Sequence, residues 1–324
     1  MRRRSFLAGI GAVAVLSLRA TNAQQTRLPV IGYLSSASSN DDRFLSAFRR
    51  KFNQLGYIEG RNCILEVRWA EGRTDAMAKL ADELVRLNPS VIVAANTSAT
   101  TALKRFTSSI PIVAALLTNP IGFGFAASLA RPGGNVTGTL ITLDTLSGKH
   151  LQLARDIKPS VRKVGMLMTT DAALQVRKRD TEAAARALGI EVVAADVAGG
   201  PGLDQAFRKL AKEQAEFVLV QPSTLFTTER RRVAELAISM KLPTISWFRD
   251  HVEDGGFLSY GSDYQDNYQR AAVYVDKVLK GERVSELPIE FPTKFELVVN
   301  QKTAKAIGVV LSEAFLLRAD QVIE

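Results

Sequence analysis

From Leu28 onward the chain alternates short runs of consecutive apolar residues with stretches in which apolar residues recur every three or four positions. The first pattern reads as a strand buried on both faces, the second as an amphipathic helix laid over it. Leu28 to Leu34 (LPVIGYL) forms the first strand. A helix from about Asp41 to Leu55 follows, with Phe44, Leu45, Phe48, Phe52 and Leu55 on one face and Gly56 as its stop. Strands near 62–67, 90–95, 110–116 and 135–140 come next, separated by helices near 74–87, 97–106 and 122–130. Strands alternating with helices of this length build βαβ units and a parallel sheet.

The pattern then restarts. Lys163 to Met168 (KVGMLM) echoes Val30 to Leu34, and strands follow near 190–195, 216–221, 243–246 and 256–260. Helices near 172–188, 203–214 and 228–240 lie between them, and a long helix runs from Asp263 to Lys280. Two such series predict an α/β protein of two Rossmann-like, doubly wound lobes joined by short hinge crossovers. The first lobe takes residues 28–143 and about 262–290, the second 144–261 and about 291–324.

Composition leaves that architecture intact and adds an export signal. With 324 residues, 46% hydrophobic and 23% charged, the chain has material for two ordinary cores. Residues 1–23 order a basic start, a short apolar stretch and the small residues Thr21, Asn22 and Ala23, as a secretory signal does. Arg3 and Arg4 before Ser5, Phe6 and Leu7 also fit the twin-arginine pattern, so general and twin-arginine export both stay open. Cleavage near Ala23 would remove four arginines and no acids, taking the formal charge from +9 to +5. What remains is spread along the chain and gives no footprint for nucleic acid. Cys63 is the single cysteine, which excludes an intrachain disulfide and a cysteine metal site. No cysteine stands at the signal's end to take a lipid, so a free periplasmic monomer is expected.

Three blocks carry a resemblance. Leu55 to Gly60 (LGYIEG) leads into Glu66 to Gly72 (EVRWAEG), Ala127 to Gly138 reads ASLARPGGNVTG, and Pro292 to Asn300 (PTKFELVVN) precedes Lys302 to Gly308 (KTAKAIG). In that order they resemble the ABC-transporter substrate-binding family that includes tryptophan- and tyrosine-binding lipoproteins. The resemblance covers Leu28 to the C-terminus. It implies the type I periplasmic binding protein fold, a Venus-flytrap pair of lobes with three crossovers and a ligand cleft between them, and an ABC permease as partner. One loop departs from the family pattern. Met168 to Leu174 (MTTDAAL) lacks the usual Asn-Pro, so the relatives' specificity does not carry over.

In parallel α/β sheets ligands bind outside the carboxyl ends of the strands. Ser35 and Ser36 follow the first strand, Asn96, Thr97 and Ser98 the third, and Thr118 and Asn119 the fourth. Their hydroxyls and amides either cap the next helix or donate to an anionic ligand group beside its positive end. Asn96 to Ser98 is the best candidate for holding a carboxylate. The corresponding second-lobe positions are Thr170, Gln221, Ser223, Trp247 and Arg249, with Tyr260 and Asp263 at the return crossover. Trp247 and Phe248 either flank a ligand or fill the core, and Asp263 either meets a charged ligand group or caps the long helix. Gly122, Gly124 and Ala127 match a dinucleotide spacing, but their position after the fourth strand reads as close helix packing.

Catalytic signals are sparse. His150 and His251 lie far from any metal-ligand spacing, and no nucleophile elbow, phosphate loop or zinc motif occurs. No cofactor, metal or enzymatic activity is expected. The leading expectation is the solute-binding component of an importer, taking an amino acid or small organic acid. A ligand-sensing protein and an enzyme on the same scaffold are the alternatives. A regulator would need a DNA-binding helix pair where the export signal stands.

Overall fold

The computed structural model describes residues 28–40, 42–73, 75–141, 146–169 and 172–324, with backbone alone for 172–176 and 224. Residues 1–23, read above as an export signal, and Thr170 lie outside the described residues. In chain order the first lobe contributes β1 (Val30–Ser35), α1 (Arg43–Gln54), β2 (Ile64–Trp69), α2 (Ala76–Arg86), β3 (Val91–Ala94), α3 (Thr97–Lys104), β4 (Ile112–Leu117) and β5 (Val136–Leu140). These strands form a parallel five-stranded sheet in the order β2-β1-β3-β4-β5.

Alternate side chains of each strand feed opposite faces. Ile31, Tyr33, Val91 and Val93 pack under α1, whereas Leu34, Ile92 and Ala94 pack with Leu84 of α2 and Leu103 of α3. Gly56 ends α1 in a left-handed conformation, φ 95°, which only glycine adopts without strain.

The second lobe holds α4 (Leu146–Ile157), β6 (Lys163–Met168), α5 (Ala172–Ala187), β7 (Glu191–Asp196), α6 (Leu203–Lys212), β8 (Phe217–Val220), α7 (Thr224–Thr228), α8 (Arg230–Ser239), β9 (Thr244–Ser246), α9 (Arg249–Glu253) and β10 (Leu258–Ser262). Helix α10 (Tyr264–Leu279) then returns to the first lobe. There Tyr268 Oη donates to the Ala95 carbonyl at 3.0 Å and Asn267 Nδ2 to Thr139 Oγ1 at 2.8 Å. Glu290 bridges to Thr139 beside β5 before the chain crosses once more to β11 (Phe295–Asn300), α11 (Gln301–Ile307), α12 (Glu313–Leu316) and β12 (Gln321–Ile323). The resulting seven-stranded sheet runs β12-β11-β10-β9-β8-β6-β7, parallel except where β11 meets β10.

The structure corrects the pattern reading in three places. No helix spans 122–130. Asn119 and Gly124 take positive φ of 43° and 70°, and the Ala127 amide donates to the Pro132 carbonyl, so this segment is a chain of turns. The glycine spacing there packs no helix, and the Thr118–Asn119 loop stands before no helix N-terminus. The helix near 228–240 is α8, and a short helix that the pattern did not show, α7, precedes it with a break at Glu229. Helix α4 was not legible because its buried face mixes Ser147 and His150 with Leu146, Leu151, Leu153 and Ala154.

Candidate functional site

The carboxyl ends of the first-lobe strands face the second lobe across a cavity of about 190 Å³. That is below the roughly 300 Å³ at which sites for drug-sized ligands begin, which restricts the occupant to one compact solute. Parallel register places Ser35 beside Trp69, and the Tyr33 and Trp69 rings meet at 5.7 Å. Asn96, just past β3, caps α3 through Oδ1, which accepts from the Ala99 amide at 3.0 Å. Its Nδ2 donates to Ser36 Oγ at 2.7 Å. The first turn of α1 adds Arg43 and Phe44, and Phe44 stacks on Tyr268 at 5.1 Å.

The second lobe supplies Phe248, Arg249 and Asp250 where β9 runs into α9, and Glu296 from β11. Ser262 and Tyr264 flank the crossover from β10 to α10, and the Phe248 ring reaches Tyr264 at 5.3 Å. The wall therefore sets polar and charged groups among six aromatic rings.

Charge in this wall is organised as a chain of contacts. Arg43 Nη1 lies 2.7 Å from Asp250 Oδ1 and 3.3 Å from Glu253 Oε2, an ion pair across the two lobes. Arg249 Nε meets the other Glu253 oxygen at 2.9 Å, and its Nη1 meets Glu296 Oε2 at 2.7 Å. Burial pushes the Glu296 carboxyl up to about 7, and Asp263 and Asp320 add to the rise against Arg249 and Lys294. Burial also raises the Tyr264 phenol, helped by Asp250 and opposed by Arg177. The Ser262 and Tyr264 hydroxyls are both buried without a hydrogen-bond partner among the described residues. Such groups are uncommon in folded proteins, because each forgoes the bonds it makes in water.

Of the residues singled out from the sequence, Ser35, Asn96 and Arg249 line this cavity. Ser36 stands one bond behind Asn96. Thr97 and Thr118 pair with each other at 3.1 Å, outside the cavity wall, and Ser98 and Asn119 are exposed. Ser223 caps α7 by accepting from the Phe226 amide at 3.1 Å. Trp247 is 2% exposed and packs edge-on to His150 in the second-lobe core, while Tyr260 stacks on Phe295. Asp263 caps α10 and pairs with Lys294 at 2.7 Å. Gln221 is fully buried with neither amide atom bonded among the described residues, yet it is not part of the wall.

Trp69, Arg43, Asp250 and Glu296 were not found by reading loops after strands. For Glu296 a signal existed: it is the one acid in an otherwise apolar strand, FELVV. Among the described residues no group of three or more His, Cys, Asp or Glu is placed to hold a metal ion, and no helix is long and apolar enough to cross a membrane.

Known proteins share this fold. The tyrosine-binding protein of Clostridioides difficile (strain R20291) is 26% identical over 268 residues, 82% of this chain and 76% of that protein. An ABC domain from Streptococcus pneumonia, solved in complex with L-Trp, superposes with a TM-score of 0.81 at 23% identity over 92% of this chain and all of that one (100%). A conserved domain protein from Vibrio cholerae gives 0.80 at 25% identity, over 91% and 100% of the two chains. The fold is thus that of type I periplasmic binding proteins. A sequence profile for ABC transporter substrate binding proteins matches residues 37–323, and the chain belongs to that family.

Proposed function

We propose that this protein captures one amino acid or small organic acid in the interlobe cavity and delivers it to an ABC permease, working in the periplasm after export. The observation that carries the reading is the pair of buried, unpartnered hydroxyls of Ser262 and Tyr264 within an aromatic wall shared by both lobes. A solute with hydrogen-bonding groups on an apolar or aromatic body satisfies both features at once. A relative that binds tyrosine and a structural neighbour holding L-Trp support the same class.

The first lobe receives the solute, with Ser35 and Asn96 at the strand ends as donors for its carboxylate. Phe248, Arg249 and Asp250 of the second lobe then cover it about the crossovers, and the ion pair from Arg43 to Asp250 holds the two lobes together. The closed lobes present the surface that the permease reads.

Native mass spectrometry of protein purified from cells without denaturation, followed by calorimetry with the released molecule, tests this. The expected result is one small carboxylate, recovered unchanged and rebinding with one-to-one stoichiometry. Recovery of a chemically altered product would favour an enzyme instead.

A further inference from the structure

Resting on the reading that the interlobe cavity is the solute site, we propose that Glu296 receives a protonated amine of the solute and so selects amino acids over the matching carboxylic acids. Glu296 lies on β11, its side chain lines the cavity, and it is 8% exposed. One oxygen, Oε2, accepts from Arg249 Nη1 at 2.7 Å. Among the described residues the hydrogen bond to this carboxylate falls on Oε2, leaving Oε1 for another donor. A buried carboxylate with an open oxygen on a cavity suits a donor that arrives with the ligand.

Arg249 does not neutralise Glu296 by itself, because its guanidinium is shared. Nε is held by Glu253 and Nη2 by Gln321. One guanidinium, that of Arg249, thus serves two carboxylates, Glu296 and Glu253. The other charged groups facing Glu296 are Asp263 beside the β10–α10 crossover, Asp320 before β12 and Lys294 before β11. Lys294 is itself bound to Asp263 at 2.7 Å. Positive charge is therefore short around this carboxylate, in keeping with a carboxyl pushed up to about 7. An ammonium supplies the missing charge and a donor in one group. A desamino acid supplies neither and leaves Glu296 to bind a proton.

The test is calorimetry on wild type and Glu296→Gln with the L-amino acids and the desamino counterpart of each, for example indole-3-propionate for tryptophan. Charge-assisted hydrogen bonds lead us to expect wild type to prefer the amine form by roughly tenfold or more. E296Q should lose most of that preference and bind the desamino acid as well as wild type does. In wild type alone, amino-acid affinity should rise with pH from about 5.5 and level off above about 7, as Glu296 gives up its proton. An equal affinity of wild type for both forms, or of E296Q and wild type for the amino acid, overturns the role of Glu296 and leaves the solute site standing. If neither form of any pair binds, the solute-site reading falls, and this inference with it.

Discussion

Replacing Tyr264 with phenylalanine should move stability and affinity in opposite directions. The ring stays: it packs against Phe248 at 5.3 Å and Phe44 at 6.2 Å, and both contacts survive the change. Only the hydroxyl goes, and that hydroxyl is buried without a hydrogen-bond partner among the described residues. Burying an unsatisfied hydroxyl costs about 1–3 kcal/mol, so Y264F without solute should be more stable by up to that amount. For a chain of this size that is roughly 2–4 °C in Tm per kcal/mol. If the hydroxyl bonds the solute, its loss weakens binding by about 0.5–1.5 kcal/mol, or roughly 2- to 12-fold in Kd. Thermal unfolding without ligand and calorimetry with it measure the two effects separately. A variant that is less stable and binds as wild type does would mean that the hydroxyl serves the fold, and the reasoning from unpartnered groups to a solute site would fail.

Arg43→Ala removes the ion pairs between the lobes; partly exposed pairs contribute up to about 1 kcal/mol, so solute affinity should fall up to roughly fivefold and wild type should weaken with added salt. No change in either measurement would show that these contacts do not help closure. Burial holds the His150 and His251 rings down at about 4, below the roughly 6.5 of an unfolded chain. Their contribution to stability is therefore full above pH 6.5 and is lost as pH falls from there toward 4. Ring-proton NMR should show both neutral down to about pH 5, and a midpoint near 6.5 would refute their burial. Gly138→Ala places a Cβ onto the Ala114 carbonyl at a φ of 144°, so urea unfolding should register a loss above about 3 kcal/mol, and a neutral result would mean that β4 and β5 pack more loosely than described.

Which parts of the molecule were legible in the sequence follows from where the information lies. Strands such as Val91–Ala94 and Phe217–Val220 are apolar on both faces because helices cover both, and that pattern is local. The turns at 119–127 misled because Phe125, Ala126 and Leu129 recur at helical spacing and all pack into the core, while the positive φ of Asn119 and Gly124 builds turns there. Ser35, Asn96 and Arg249 were within reach because each stands at a strand end or helix start, where parallel sheets bind. The pairing of Arg43 with Asp250 was not, since 207 positions separate them and only the way the lobes face each other brings them together. Trp247 shows the converse: a strand-end aromatic whose register turns it into the core against His150.

The most direct measurement is a crystal structure of the protein with its solute bound. The account expects one small molecule inside the cavity between the lobes, hydrogen-bonded to Ser262 Oγ and Tyr264 Oη and flanked by Phe248 and Trp69. A solute bound elsewhere, with those two hydroxyls still unpartnered, would contradict it.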